Sequence, residues 1–165
     1  VRGGRVLATG AGEGLEPAAP GADYGVLVLP VEAALSTALV YEEADRLGRL
    51  RTTPALQEAR ERLRHEDVLA GHVANDLAAP ARALCPAIDV ALGDAAAAGA
   101  DEVLVSGSGP TVLGLFLGAD GPARARAAAA ELAGRRPGPA AAEPVPAGWG
   151  EVTVTGLRQT GAVTS

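Results

Sequence analysis

The sequence contains no lysine, because all 14 of its basic residues are arginine. This absence excludes chemistry that needs a side-chain amine of this chain, such as a Schiff base or the lysine of a phosphate-binding P-loop. Methionine is absent as well, and the 165 residues open at Val1. We therefore expect a processed chain, an excised domain or half of a longer protein.

Cysteine is scarce, and long apolar runs are missing. Cys85 is the single cysteine, so an internal disulfide is excluded and a cytoplasmic, reducing compartment is expected. No apolar run reaches the roughly 18 residues of a membrane span, so no membrane partner is expected. The two histidines, His65 and His72, have no cysteine partner and do not predict a metal site.

The net charge and the aromatic content further narrow the class of protein. The net charge of −6 disfavours nucleic acid as a partner, because proteins that bind duplexes neutralise phosphates with a basic face. Aromatic residues make up 2% of the chain and apolar residues 48%, so the core must be built from Ala, Leu and Val. A packed domain is therefore expected, and wholesale disorder is not.

The first half of the chain predicts one strand and several helices. The apolar run Tyr24 to Leu29 suits a central strand buried on both faces. A helix is expected behind Ser36 or Thr37 and should end at Gly48, since glycine is favoured just past a helix end. Further helices are predicted from Thr53–Pro54, over 66–77, and from about Leu84 to Gly99, with Pro80 as an interruption.

The second half predicts a hairpin, a helix and a last strand. Strands are expected over 102–105 and 111–117, a helix over 122–132, a loose segment over 134–149 and an edge strand over 152–155. From residue 24 the order is that of a ferredoxin-like split βαβ sandwich, an α+β fold with extra helices in the first crossover. We expect residues 1–23 to be a linker with short strands and residues 24–165 to form the domain.

The strongest candidate for a binding site is the segment SGSGPT, between two predicted strands. It comprises Ser106, Gly107, Ser108, Gly109, Pro110 and Thr111. Glycines let successive backbone amides face one concavity that holds anions, and the hydroxyl groups add donors. This pattern favours a phosphate-contacting loop, while an ordinary glycine-rich hairpin turn remains the alternative. The loop is not a Walker A motif, because the lysine is missing and a strand follows it.

Two further groups of polar residues stand out. Thr37 and Tyr41 are four residues apart, so they share a helix face and would suit a planar heterocycle; an N-cap and a core tyrosine are the alternative. Asn75, followed by Asp76, is the only asparagine in the chain. It could tie its segment to the glycine-rich loop or cap a helix end.

Four segments in this order resemble the C-terminal half of the GHMP kinases. They are RVLATGAGEGLEP, YGVLVLPVEAALSTALVY, ANDLAAPARALCPAI and GADEVLVSGSGPTVLGLF. Among these kinases, the sequence is most similar to those that phosphorylate a hydroxyl of a cytidine-diphosphate-linked methylerythritol in non-mevalonate isoprenoid biosynthesis. The last segment is the most specific, because the family carries a glycine-rich loop between two strands there.

The resemblance implies ATP and Mg²⁺ as cofactors of the full-length enzyme and an active site between two domains. It implies that Thr37 and Tyr41 contact the cytosine and that Ser106 to Gly109 line the cleft near the phosphates, with Thr111 beside them. Asn75 and Asp76 are similar to a family pair that gives structural support.

The family's ATP-binding loop, catalytic Asp and catalytic Lys belong to an N-terminal domain that this chain lacks. We therefore expect no catalytic residue here, no tight binding of ATP or Mg²⁺, and no kinase activity by the chain alone. The missing domain is an expected partner, and an apolar face left by it would allow a homo-oligomer. The alternative function is a non-catalytic ferredoxin-like ligand-binding or regulatory module.

Overall fold

The computed structural model describes residues 6–9, 14–17, 22–48, 50–65 and 74–145. The strands in these ranges are β1 Val6–Thr9, β2 Gly14–Pro17, β3 Tyr24–Leu29, β4 Glu102–Val105, β5 Val112–Leu117 and β6 Ala140–Ala142. The helices are α1 Thr37–Leu47, α2 Thr53–His65, α3 Ala78–Leu84, α4 Ala87–Ala97 and α5 Gly121–Leu132. No helix within these ranges is both long enough and apolar enough to cross a membrane.

The main sheet has the strand order β4-β5-β3-β6, and every neighbouring pair is antiparallel. The first strand of the motif, β3, therefore lies between the third and the fourth, as the split βαβ plan requires. The predicted α+β, ferredoxin-like class is confirmed. Strands β1 and β2 form a separate antiparallel pair.

The core lies between the main sheet and the helices α4 and α5, which pack against it. Along β3 buried residues alternate with half-buried ones, so the expectation that both faces of this strand are buried is wrong. The largest fully buried side chains include Phe116, Leu27, Leu29, Ile88 and Leu132. Small residues bring helix and sheet close, because a Cβ at Gly25 of β3 would lie 2.7 Å from the Cα of Pro122 on α5.

The crossover helices follow the sequence signals in part. Gly48 ends α1 with a φ of 59°, and α2 begins at Thr53, both as predicted. Of the helix predicted over 66–77, residues 66–73 lie outside the described residues, and residues 74–77 are not helical, with a turn at 76 and 77. Pro80 does not interrupt a helix but lies in the first turn of α3, where a missing amide costs little. The helix predicted from Leu84 to Gly99 starts only after Pro86.

The far edge of the sheet differs from the sequence prediction. The segment expected to be loose, 134–149, contains β6, which pairs with β3 through Ala140, Ala141 and Ala142. The edge strand predicted over 152–155 lies outside the described residues. Alanine has little intrinsic preference for strands, so the open edge of β3 and the packing of α5 against β6 account for this strand.

Candidate functional site: the glycine-rich loop and the start of α1

The predicted glycine-rich loop connects β4 and β5 at one end of the sheet. Its base is closed by the amide of Ser106, which donates to the carbonyl of Thr111 at 2.9 Å. The amide of Gly109 donates to the carbonyl of Ser106 at 2.8 Å. The amides of Gly107 and Ser108 have no acceptor in the described part of the chain, so the tip of the loop retains donors for a ligand.

Two glycines give the loop its shape. Gly107 and Gly109 have φ angles of 55° and 77°, a region that residues with a Cβ rarely adopt. Position 107 faces open space, whereas a Cβ at position 109 would lie 3.2 Å from Val105 Cγ1. The same Cβ would lie 3.4 Å from Ile88 Cδ1 and Leu35 Cδ2. The loop is thus seated on the core at Gly109 and open at Gly107.

The structure brings two separately predicted groups together. The hydroxyl of Thr37, the first residue of α1, lies 2.9 Å from the hydroxyl of Ser108, 71 positions along the chain. A hydroxyl pair carries two hydrogens, and one suffices for the bond between them. The second remains available to a ligand at the junction of helix and loop.

Tyr41 lies one helical turn beyond Thr37 on α1. Its side chain is 55% exposed, so the alternative that it is a core tyrosine is wrong. Ser36 occupies the N-cap position of α1, and its side chain makes no capping bond. An N-cap role for Thr37 is therefore wrong as well, because Thr37 is already inside the helix. An accessible ring and a hydroxyl thus occupy the start of α1.

Asn75 contacts the glycine-rich loop, which is the first of the two roles that its sequence context left open. Its side-chain nitrogen donates to the carbonyl of Val105 at 2.8 Å and to that of Gly107 at 2.7 Å. Its side-chain oxygen accepts a bond of 3.0 Å from the amide of Leu77, the N-cap residue of α3. The residue ties the glycine-rich loop to the start of α3.

Arg51 is a residue of this region that sequence reasoning missed. Its Nε donates to Asp76 Oδ1 at 2.6 Å, and its amide donates to Asp76 Oδ2 at 3.0 Å. Arg51 lies 25 positions before Asp76, and no local pattern in the sequence relates the two. The pair holds the segment next to Asn75 against the start of α2.

The loop offers neutral donors beside one helix start. The first turn of α1 meets it at Ser108, while α4 contacts it only through the side chain of Ile88, which lies against Gly109. Helix N-termini and free backbone amides both favour a negatively charged ligand. No group of three or more metal-ligating side chains occurs in the described ranges. These donors suit an anion and do not suit a cation.

The carboxyl groups with shifted pKa values lie outside this loop. Hydrogen bonds from arginine lower the pKa of Glu16, through Arg64, and of Glu43, through Arg46. The pKa of Asp101 is lowered by Arg124 and by the amide of Leu117. The pairs of Glu16 and Asp101 join separate elements of the fold, the pair of Glu43 lies within α1, and none of the three carboxyl groups belongs to the loop.

A cavity of about 460 Å³ lies away from the loop, between α2 and β1. Its polar lining includes Arg51 and Arg60, which already pair with Asp76 and Glu16. Because each guanidinium group is already neutralised by a carboxylate, this cavity offers a weaker anion site than the loop, although Arg60 Nε makes no hydrogen bond within the described ranges.

A comparison with known protein families shows which family the chain belongs to. The sequence model of the family described as GHMP kinases C terminal matches residues 54–136, half of the chain. The chain belongs to the GHMP kinase family. The matched span of this GHMP kinase domain contains Asn75 and the whole glycine-rich loop.

Curated relatives agree with the family assignment. The chain is 40% identical over 124 residues to the 4-diphosphocytidyl-2-C-methyl-D-erythritol kinase of Streptomyces avermitilis, covering 72% of this chain and 42% of that protein. It is 41% identical over 143 residues to the kinase of the same name from Salinispora tropica, covering 80% and 43%. This GHMP kinase chain thus spans less than half the length of these relatives.

A solved structure agrees with the fold. A crystal structure of a 4-(cytidine 5'-diphospho)-2C-methyl-D-erythritol kinase superimposes with a TM-score of 0.60 at 30% sequence identity. The alignment covers 84% of this chain and 48% of that one. The resemblance found in the sequence is confirmed at the level of family and fold.

Proposed function

We propose that the chain is the C-terminal, substrate-side part of an ATP-dependent kinase that phosphorylates 4-diphosphocytidyl-2-C-methyl-D-erythritol. The reaction belongs to non-mevalonate isoprenoid biosynthesis, and we assign it to the cytoplasm. Residues 24–165 form the domain, and residues 1–23 connect it to an N-terminal kinase domain. The names of the relatives support the reaction. The contact of Thr37 with Ser108 is the observation that carries the site.

The loop is the phosphate-contacting part of this proposal. Ser106, Gly107, Ser108, Gly109 and Thr111 supply the amides and hydroxyl groups of the loop. Free amides at its tip and the start of α1 beside it favour a phosphate over a neutral group. The role of the loop is to bind and orient the phosphates, because nothing in its donor set can act as a base.

The start of α1 is the pyrimidine-contacting part. The exposed ring of Tyr41 can stack on a planar base, and the hydroxyl of Thr37 can hydrogen-bond to its edge. Because Thr37 also contacts Ser108, one ligand with a base and a diphosphate would span both parts. A cytidine diphosphate group meets that description.

ATP and Mg²⁺ belong to the complete enzyme in this proposal. Phosphoryl transfer depends on cations around the transferred group and on a positioned acceptor, and the loop supplies neither. We assign the catalytic base, the lysine and the metal-binding groups to the N-terminal domain. The chain alone binds neither ATP nor Mg²⁺ tightly, and it does not catalyse the reaction.

A chimeric enzyme tests the proposal. The C-terminal part of the Streptomyces avermitilis kinase is replaced by this chain, and ATP turnover is measured with 4-diphosphocytidyl-2-C-methyl-D-erythritol. We expect turnover by the chimera and none by the chain alone. Ser108→Ala in the chimera should raise KM, because it removes one of the two paired hydroxyls.

The unaltered Streptomyces avermitilis kinase serves as the matched control. A folded chimera that binds the substrate without phosphoryl transfer would favour the other function, a non-catalytic ligand-binding module. Phosphorylation by the 165 residues alone would contradict the assignment of catalysis to the N-terminal domain.

Self-association is a separate part of the proposal. Exposed apolar side chains on three helices, Leu39, Leu84 and Val90, offer contact area to the N-terminal domain or to a second copy. Light scattering over a range of concentrations should show a mass that rises with concentration. A monomer at every concentration would count against a homo-oligomer.

A further inference from the structure

All the hydrogen bonds of the Asn75 side-chain amide are made with main-chain groups. Both N–H groups of a side-chain amide are accounted for by the carbonyls of Val105 and Gly107, at 2.8 and 2.7 Å. The side-chain oxygen accepts from the amide of Leu77 at 3.0 Å. One side chain therefore fixes two peptide groups of the glycine-rich loop relative to the start of α3.

Peptide geometry converts these two bonds into a direction for the loop amides. A trans peptide unit is planar, and its carbonyl and N–H point to opposite sides. Because the Gly107 carbonyl is bound to Asn75, the N–H of Ser108 in the same unit points away from Asn75. The Val105 carbonyl likewise turns the N–H of Ser106 away, and that amide meets Thr111.

Ser108 is the residue at which these constraints meet. Its hydroxyl is bound to Thr37, its amide direction is set by Asn75, and that amide has no acceptor in the described ranges. An anion binds well to a donor that is already held in place and has no other acceptor. Little further conformational entropy of that donor is then lost when the anion binds.

We propose that Asn75 is a positioning residue that directs the Ser108 amide at the phosphate of the bound ligand. This inference rests on the proposed function of the loop as a phosphate site. Asn75 itself does not touch the ligand, because both of its N–H groups are spent on carbonyls. Without those bonds no side chain would hold the carbonyl of Gly107, and a Cβ placed at Gly107 would meet nothing within 4 Å that could restrain this part of the loop.

The segment that carries Asn75 is held from the other side. Asp76 accepts two bonds from Arg51, and the carbonyl of Ala74 accepts a third at 3.4 Å. Arg51 thus keeps the segment in place without contacting the loop. Asn75 is the side chain bound to the peptide unit that carries the Ser108 amide, whereas Arg51 holds only the segment that carries Asn75.

The test follows individual backbone amides of the chain by NMR while inorganic pyrophosphate is added. In the unaltered chain we expect the Ser108 amide to show the largest downfield shift of the loop. Asn75→Ala should weaken pyrophosphate binding by about tenfold or more and remove the shift at Ser108, since a bond to a charged group is lost. Alanine introduces no charge that would repel the anion by itself.

Asp101→Asn is the matched control. Asp101 accepts a bond of 2.7 Å from the amide of Leu117, at the opposite end of β5 from the loop. This variant also weakens a side-chain bond to the main chain, so it should lower stability and leave pyrophosphate affinity unchanged. Equal affinity losses in the two variants would show that Asn75 acts through general stability and would overturn the inference.

The outcomes separate this inference from the proposed function. If no loop amide of the unaltered chain responds to pyrophosphate, the phosphate site fails and the inference with it. If the loop responds equally with and without Asn75, the phosphate site stands and the role of Asn75 is refuted. A dominant shift at Gly107 or Gly109 in place of Ser108 also refutes it, and that result needs no variant to fold.

Discussion

Alanine at the two loop glycines with positive φ should have unequal effects. Both Gly107, at 55°, and Gly109, at 77°, would force an alanine into a region that costs about 1–2 kcal/mol. Part of that cost is offset by about 0.4–1 kcal/mol, because alanine reduces the conformational freedom of the unfolded chain. Backbone conformation alone therefore predicts a similar loss of about 1 kcal/mol at either position.

Crowding separates the two substitutions. The new methyl group at position 107 meets nothing within 4 Å. At position 109 it lies 3.2 Å from Val105 and 3.4 Å from Ile88 and Leu35, and overpacking of this kind typically costs about 1–3 kcal/mol. We therefore expect a total loss of about 3 kcal/mol for Gly109→Ala, a large part of the ~5–15 kcal/mol that stabilises a typical domain.

Urea denaturation of the chain measures the difference. The free energy of unfolding falls by about 2 kcal/mol per molar urea, so a difference of about 2 kcal/mol between the two variants separates their midpoints by about 1 M. The unaltered chain is the reference, and Gly107→Ala is the control for backbone strain. Equal midpoints for the two variants would refute the conclusion that the loop is seated on the core at Gly109.

Two further predictions concern acid stability and the pyrimidine. Arg124 and the Leu117 amide lower the pKa of Asp101 below its ordinary 3.8 in the folded chain. The stability that Asp101 contributes is therefore fully present above pH 3.8 and is lost as the pH falls through the lower pKa of the folded state. Between pH 6 and pH 3 the urea midpoint should therefore fall less in Asp101→Asn than in the unaltered chain. An equal fall of the midpoint in both proteins would contradict this. Tyr41→Ala should weaken cytidine diphosphate binding about tenfold in calorimetry, as stacking of a base implies. Tyr41→Phe should bind almost as the unaltered chain does, and equal losses in both would rule out stacking.

Local signals in the sequence predicted the elements that local chemistry determines. Gly48 ends α1 because glycine tolerates the left-handed conformation, and Thr53–Pro54 begins α2 because proline suits a first turn. Pro80 misled the prediction, since its effect depends on where the helix starts. With α3 beginning at Ala78, that proline falls where its missing amide costs little.

Contacts between distant segments could not be predicted in the same way. The alanines of β6 have no strand preference of their own, and their pairing partner β3 lies more than 110 positions earlier. Likewise, the sequence identified Thr37 and Ser108 as separate candidates, but nothing local indicates that their hydroxyls meet. The composition of the candidate site was therefore predictable, whereas its assembly required the fold.

The candidate site is drawn from three remote stretches of chain, at residues 37–41, 75 and 106–111, so no single segment of an unfolded chain contains the whole site. Any ligand that uses the junction must recognise the native state almost exclusively. Occupancy and folding are then thermodynamically linked, and a ligand at 100 times its dissociation constant would add about 2.7 kcal/mol to native stability. The melting temperature of the chain thus becomes a reporter of ligand chemistry that requires no turnover.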